Sequence, residues 1–181
     1  HTNNKENIIA KARALAEQLK NVNITTHVDD RDYTPGSKFY DWEIKGIPVR
    51  IEIGPLDIAN KTIVLARRDT GRKQTINEHD LIKNIRETLN AIQHDLYTTA
   101  KHQFDASITH VTNKNTLNDH VNTKKKIARC HWCGSEQCYD AIKKLGEGLD
   151  PFGTDLTPAP PGPCIICTKK STELLYVSNT Y

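Results

Sequence analysis

Apolar residues recur along this chain with two periods, and the period changes at definable points. Ile8, Ile9, Ala12, Leu15, Ala16 and Leu19 fall at helical spacing, which predicts an amphipathic helix over about residues 5–20. Val22, Ile24, Thr26 and Val28 then alternate as a strand would. Pro35-Gly36 reads as a turn, because Pro presets one backbone angle and Gly tolerates the positive one. From Trp42 onward, Trp42, Ile44, Val49, Ile51 and Ile53 mark one face of a hairpin around Lys45-Gly46. Thr62–Arg67 is a further strand, and Asp69-Thr70-Gly71 turns it back through Gln74 to Ile76. Residues 79–105 form a long helix, with Ile82, Ile85, Leu89, Ile92, Leu96 and Phe104 on one face and Asn77 as a candidate N-cap. The first 105 residues therefore read as α/β, two helices over a small sheet.

The remainder, 106–181, is shorter in its elements. Ile108–Val111 reads as a strand, Thr116–Val121 as a short helix, Tyr139–Leu145 as one or two helical turns, and Glu173–Ser178 as a closing strand. Between them, residues 146–163 carry five Pro and four Gly, which predicts a loop. A helix feeding directly into a strand is uncommon as a domain start. The chain accordingly reads as a segment, with a preceding strand and a larger partner domain before His1.

Composition narrows the function classes modestly. With 36% hydrophobic and 26% charged residues over 181, the chain has the balance of a globular protein of one large or two small domains. No apolar run approaches a bilayer span, and the polar opening stretch is not a secretory signal. A net charge of +3 does not by itself imply nucleic acid; the local clusters Arg67-Arg68, Arg72-Lys73 and Lys124-Lys125-Lys126 carry more weight.

All five cysteines lie between Cys130 and Cys167. Cys133-x4-Cys138 and Cys164-x2-Cys167 make two close pairs, a pattern that suits a closed tetrahedral zinc site clamping a loop with little apolar surface of its own. Cys130-x2-Cys133 is a competing pair, and His131 is a nearby substitute ligand. Four thiolates would leave no open coordination position, so the expected role is structural. His79, His94, His102, His110 and His120 are scattered on polar faces without the spacing of a metal triad, and are expected to be solvated. The polar side of the predicted hairpin carries Glu43, Arg50 and Glu52. A mixed-sign row on a rigid sheet offers donors and acceptors to a ligand, although such a row is more often plain solvated surface. No phosphate-cradling loop and no Ser/His/Asp arrangement stands out.

The run RDYTPGSKFYDWEIKGIPVRIEIGPLD, with VLARRDTGRK close behind, resembles the anticodon-binding domain of prolyl-tRNA synthetases of the eukaryotic and archaeal type. The tail agrees: these synthetases carry a C-terminal zinc-binding domain with a Cys-x4-Cys followed by a closely spaced Cys pair, and usually end in Tyr. Cys133, Cys138, Cys164, Cys167 and Tyr181 match that arrangement, which favours Cys133–Cys138 over Cys130–Cys133.

The resemblance implies an anticodon-binding domain over 1–105, a mixed sheet with flanking helices lacking its first strand, then a zinc-binding α/β domain over 106–181. It implies that Glu43, Arg50 and Asp57, with Arg72 or Lys73, read the two guanines of the proline anticodon. The family often has Lys or Arg where Leu56 stands, so one contact is lost or supplied elsewhere, by Lys61 for example. It further implies tRNA(Pro) as partner, a class II catalytic core using ATP that lies before His1, no catalytic residue within this chain, packing of Tyr181 toward that core, a homodimer and a cytoplasmic location. The competing expectations are a non-catalytic RNA-binding or regulatory protein built from the same module, and a zinc-stabilised interaction domain with no RNA partner.

Overall fold

The computed structural model describes residues 2–124 and 126–179. It divides into two compact units, 1–98 and 99–181, with the division inside one long helix. Each unit is α/β and has its own core. Among the described residues, no helix is long and apolar enough to cross a membrane.

The first unit opens with helix α1 (Thr2–Lys20), as the spacing of its apolar residues predicts. It closes in a left-handed residue, Asn23 at φ 62°, with the Ile24 N–H donating to Leu19 O at 3.0 Å. Val22, Ile24, Thr26 and Val28 are half-buried and the residues between them exposed, as alternation requires. Even so, 24–28 is not a strand. Among the described residues no strand lies beside it to take its backbone hydrogen bonds, and its Thr26 hydroxyl instead donates to Ala16 O of α1.

Pro35-Gly36, expected as a turn, starts helix α2 (Pro35–Ile44). Thr34 caps it, its hydroxyl accepting from the Ser37 N–H, and Pro35 occupies the first helical position, where its fixed φ suits a helix and its missing N–H costs nothing. Trp42 and Ile44 therefore belong to a helix and not to the predicted hairpin arm. The sheet is formed instead by three antiparallel strands in the order β1 (Val49–Glu52), β2 (Thr62–Arg67) and β3 (Lys73–Asn77). Helix α3 (Pro55–Asn60), which the periodicity does not reveal, links β1 to β2. A 3-10 turn, Glu78–Asp80, leads into α4 (Leu81–Ser107); Asn77 precedes it but makes no side-chain cap.

Strand alternation sorts the sheet into two faces. Ile63, Leu65 and Ile76, with Val49 and Ile51, pack with Leu15 and Leu19 of α1 and Leu81 and Ile85 of α4. The other face presents Arg50, Glu52, Ala66 and Lys73, with Arg50 opposite Ala66 and Ala66 opposite Lys73.

In the second unit, β4 (Ile108–His110) is followed by α5 (Lys114–Asn118), which runs into one wide turn at Asp119–Thr123. Next come β5 (Ile127–Trp132), α6 (Glu136–Lys143), β6 (Leu149–Thr154), the short β7 (Gly162–Pro163) and β8 (Lys170–Ser171), and β9 (Glu173–Asn179). The main sheet has the order β4-β5-β9-β6, with β4 and β5 parallel and the other pairs antiparallel. Ala128, Cys130, Leu175 and Val177 face a core completed by Val111, Leu117, Val121 and Ile142.

Strand β6 corrects the expectation of an uninterrupted loop over 146–163. It lies at the sheet margin, where Pro151 need not donate on its outer side, and the ladder bulges between Pro151 and Gly153. The expected role of Tyr181 and the middle of the Lys124–Lys126 run fall outside the described residues.

Candidate nucleic-acid interface and metal centre

Two networks hold α2 in place and build one surface beside it. The first is structural. Asp29 accepts from Arg31 Nη2 at 2.7 Å, Arg31 Nε at 2.9 Å and Trp42 Nε1 at 2.8 Å, while Arg31 Nη1 reaches Asp41 at 2.9 Å. The Arg31 guanidinium, helped by the Trp42 N–H, holds the Asp29 carboxyl far below the usual carboxylate range although partial burial opposes this. The indole of Trp42 is thereby fixed against His27, with ring centres 4.6 Å apart, and Lys45 Nζ lies 4.3 Å over it.

The second network lies on the open sheet face. Arg50 donates from Nη1 to Glu43 Oε1 at 2.9 Å and from Nε to Glu52 Oε1 at 3.1 Å. Its guanidinium carbon stands 3.8 Å from the centre of the Phe39 ring. Lys73 donates to the other Glu52 oxygen at 2.8 Å and reaches over the same ring at 5.7 Å. Glu52 is partly buried, which would raise its pKa, but the bonds from Lys73 and Arg50 outweigh burial and lower it. A flat guanidinium is thus clamped on an aromatic ring between two carboxylates, with an ammonium alongside. Such a cluster offers planar donors and acceptors in fixed directions.

The residues expected at the site divide accordingly. Glu43, Arg50 and Lys73 come together, Glu43 arriving from the end of a helix. Asp57 serves its own helix. Its Oδ2 accepts from the Gly54 N–H at 2.8 Å and its Oδ1 from the Thr62 hydroxyl at 3.3 Å, closing the first turn of α3. Arg72 follows the hairpin turn at Gly71 (φ 66°), and among the described residues its guanidinium has no acidic partner. Leu56 is 77% exposed on α3. Phe39 and Glu52 join the cluster although the resemblance implies no role for them. The signal for Phe39 is its spacing of four from Glu43, which stacks both on one helix flank once the helix is recognised.

In the second unit Cys133, Cys138, Cys164 and Cys167 converge, their sulfurs all within 4.8 Å of one another. The route there is local. Cys133 follows β5, and Gly134 (φ 79°) reverses the chain. Ser135 caps α6 by accepting from the Cys138 N–H at 3.3 Å, so Cys138 sits in the first helical turn. The second pair is tied to the same strand by the Ile165 N–H donating to His131 O at 2.9 Å, and its turn closes with Thr168 N–H to Cys164 O at 3.0 Å. Four sulfurs about 2.3 Å from one ion would stand about 3.8 Å apart, and Cys133 and Cys167 are separated by 3.6 Å. The donor set fits zinc.

The thiols are electrostatically linked. Burial works against the Cys133 thiolate, but the Ser135 N–H and neighbouring thiols draw its pKa down to about 7. Burial and those same neighbours push Cys138 up to about 12. A divalent cation would remove the mutual penalty on ionising all four.

Cys130 is not among them. It faces the core from β5, fully buried, and burial raises its pKa to about 12. His131 is likewise outside the cluster, its Nε2 lying 3.0 Å from Pro160 O. Of the histidines expected to be solvated, His110 is exposed, with its ring edge-on to His131 at 5.5 Å, whereas His120 is half-buried and its Nδ1 is buried without a partner among the described residues.

Residues 1–88 match the family model described as an anticodon binding domain, and residues 115–181 match the one described as the prolyl-tRNA synthetase C-terminal domain. The proline–tRNA ligase of Thermococcus kodakarensis is 36% identical over 181 residues, covering 96% of this chain and 37% of the relative. The chain belongs to the prolyl-tRNA synthetase family. The proline–tRNA ligase of Methanothrix thermoacetophila is 37% identical over 98% of the chain, and that of Pyrococcus horikoshii 33% over 97%. In each the match spans under two fifths of the relative, 37% and 38% respectively. Within a prolyl-tRNA synthetase, the matched region is the anticodon-binding domain and the C-terminal domain, and both networks described above fall inside it.

Proposed function

We propose that the Arg50 cluster is the face on which this chain reads the anticodon guanines of a proline tRNA, and that the four cysteines hold a structural zinc. The observation that carries the reading is the clamped Arg50 guanidinium, set on Phe39 between Glu43 and Glu52, in the unit that matches an anticodon-binding model. Guanine presents N1–H and N2–H₂ donors on one edge and O6 and N7 acceptors on another. A carboxylate such as Glu43 accepts from the first, and an Arg fork donates to the second. Lys73 and Arg72 supply positive charge on the same hairpin. Asp57 keeps lone pairs free beyond its two internal bonds, enough to accept from a base without uncapping α3.

In the whole protein this segment selects the tRNA, while activation of proline with ATP and its transfer to tRNA belong to the part of the relatives that the chain does not span. The chain by itself makes no prolyl-adenylate. The catalytic domain of the same polypeptide, a second subunit and a cytoplasmic setting complete this reading.

The test is binding of the chain to an anticodon stem-loop RNA with both anticodon guanines, against one with both replaced by adenine. Preference for the guanine loop is expected, and equal affinity rejects the site. Arg50→Ala weakens the guanine complex by about 1–3 kcal/mol, the worth of one bidentate base contact.

A further inference from the structure

Arg67 and Arg68 are neighbours in sequence but not in role. Arg67 ends β2 on the core side, where it donates to Asp69 at 2.6 Å and Asp95 at 2.8 Å. Its charge is fully occupied. Arg68 follows on the opposite side by strand alternation, and its N–H donates to Pro48 O at 3.0 Å, extending the pairing with the residue before β1. That places it on the face of Arg50. Arg68 and Arg50 line one shallow cleft together with Trp42, Glu43, Ile47 and Ala66. The Arg68 side chain is exposed, and among the described residues it has no acidic partner.

The two arginines of this cleft therefore differ in what they can bind. Arg50 already satisfies two carboxylates and stands 3.8 Å over the Phe39 ring, so it can present only its remaining donors in a set direction. Arg68, exposed and without an acidic partner among the described residues, can turn all its donors outward. The first arrangement suits a base edge, and the second suits a phosphate, which is recognised by charge and reach rather than by register. We propose that Arg68 contacts a backbone phosphate of the RNA strand whose bases the Arg50 cluster reads. This rests on the RNA-binding reading above and adds to it a positioning contact that carries no sequence information.

The test measures affinity of the 181-residue chain for the guanine and adenine stem-loop RNAs at several salt concentrations. For Arg68→Gln, binding to both RNAs weakens alike, the preference for guanine is kept, and the slope of log affinity against log salt becomes shallower by about 0.7–1, one phosphate's worth. Arg68→Lys, which keeps the charge, retains the slope. Thermal melting of each variant confirms that it is folded. An unchanged slope in Arg68→Gln overturns the phosphate contact, and so does loss of guanine preference, which would make Arg68 a base reader. Failure of the underlying reading looks different: the unsubstituted chain would then show no preference for guanine.

Discussion

If the Arg50 cluster reads bases as proposed, removing Glu52 should separate affinity from selectivity, because Glu52 is bonded to both Arg50 and Lys73. It holds Arg50 through one oxygen, at 3.0 and 3.1 Å, and Lys73 through the other, at 2.8 Å. Arg50 and Glu52 are each only about one fifth exposed, whereas half of Lys73 is in water, so the Arg50 contact dominates energetically. In Glu52→Gln the carbonyl oxygen still accepts one neutral bond, but charge assistance, worth about 1 kcal/mol per bond, is lost. The expected cost to the first unit is about 1–2 kcal/mol, read by urea denaturation through Trp42 fluorescence in a Trp132→Phe background. The effect on RNA goes two ways. Deleting a negative charge beside the strand frees Lys73, so affinity for the adenine stem-loop rises and the salt slope steepens by about 0.7. Meanwhile one of the two carboxylate anchors of Arg50 is reduced to a neutral bond, and discrimination for guanine falls by about 1–2 kcal/mol, roughly five- to thirtyfold. Glu52 has a lowered pKa in the folded chain, so its stabilising contribution is present above its ordinary value of 4.5 and disappears as pH falls through the lower folded value. The stability gap between the two proteins should close in that acid window and nowhere above it. If Glu52→Gln keeps full discrimination, or loses affinity equally for both RNAs, Glu52 does not orient Arg50 and the clamp is not part of base reading.

Two further outcomes test other parts of the molecule. Cys138→Ser should abolish stoichiometric zinc in protein purified without added metal, whereas Cys130→Ala should keep it; zinc kept by Cys138→Ser would remove Cys138 from the ligand set, and zinc lost from a folded Cys130→Ala would bring Cys130 into it. Asp29, held far below the usual range by Arg31 and Trp42, stabilises the first unit above its ordinary value of 3.8 and ceases to do so as pH falls through its lower folded value. Asp29→Asn should therefore lower the melting temperature at neutral pH and flatten the acid-induced loss; parallel pH profiles would mean that this network does not hold α2.

The long periodic elements are legible in the sequence because burial alone sets their pattern: α1, α4, β2 and β3 each present one apolar face to a single core. The failures have a common cause. Five-residue stretches of alternating apolar residues fit either period, and the deciding information lies in the cap, not the pattern. Thr34-Pro35 ahead of α2 and Gly54-Pro55 with Asp57 ahead of α3 are helix starts, yet Pro-Gly and Gly-Pro also spell turns. β6 is hidden for the converse reason, since Pro151 is tolerated only because the strand lies at a margin that the sequence does not announce. Among the cysteines, spacing leaves Cys130 open. Strand position decides it, because alternation that turns Ala128 and Cys130 into the core carries Cys130 away from the turn that Cys133 begins.

The same logic explains why the candidate RNA face survives a wrong element. The periodicity places Glu43 beside Arg50 across a hairpin, and it reaches Arg50 instead from the last turn of α2, one turn after Phe39. A strand arm would have left Phe39 remote from the sheet. Only the helix stacks Phe39 and Glu43 on one flank, so that the ring faces the guanidinium while the carboxylate accepts from its Nη1. The helix therefore contributes what a row of charges on a strand could not, a ring that fixes the plane of Arg50. A fixed plane is the property that base reading requires, and it depends on Thr34 and Pro35 starting α2 where they do.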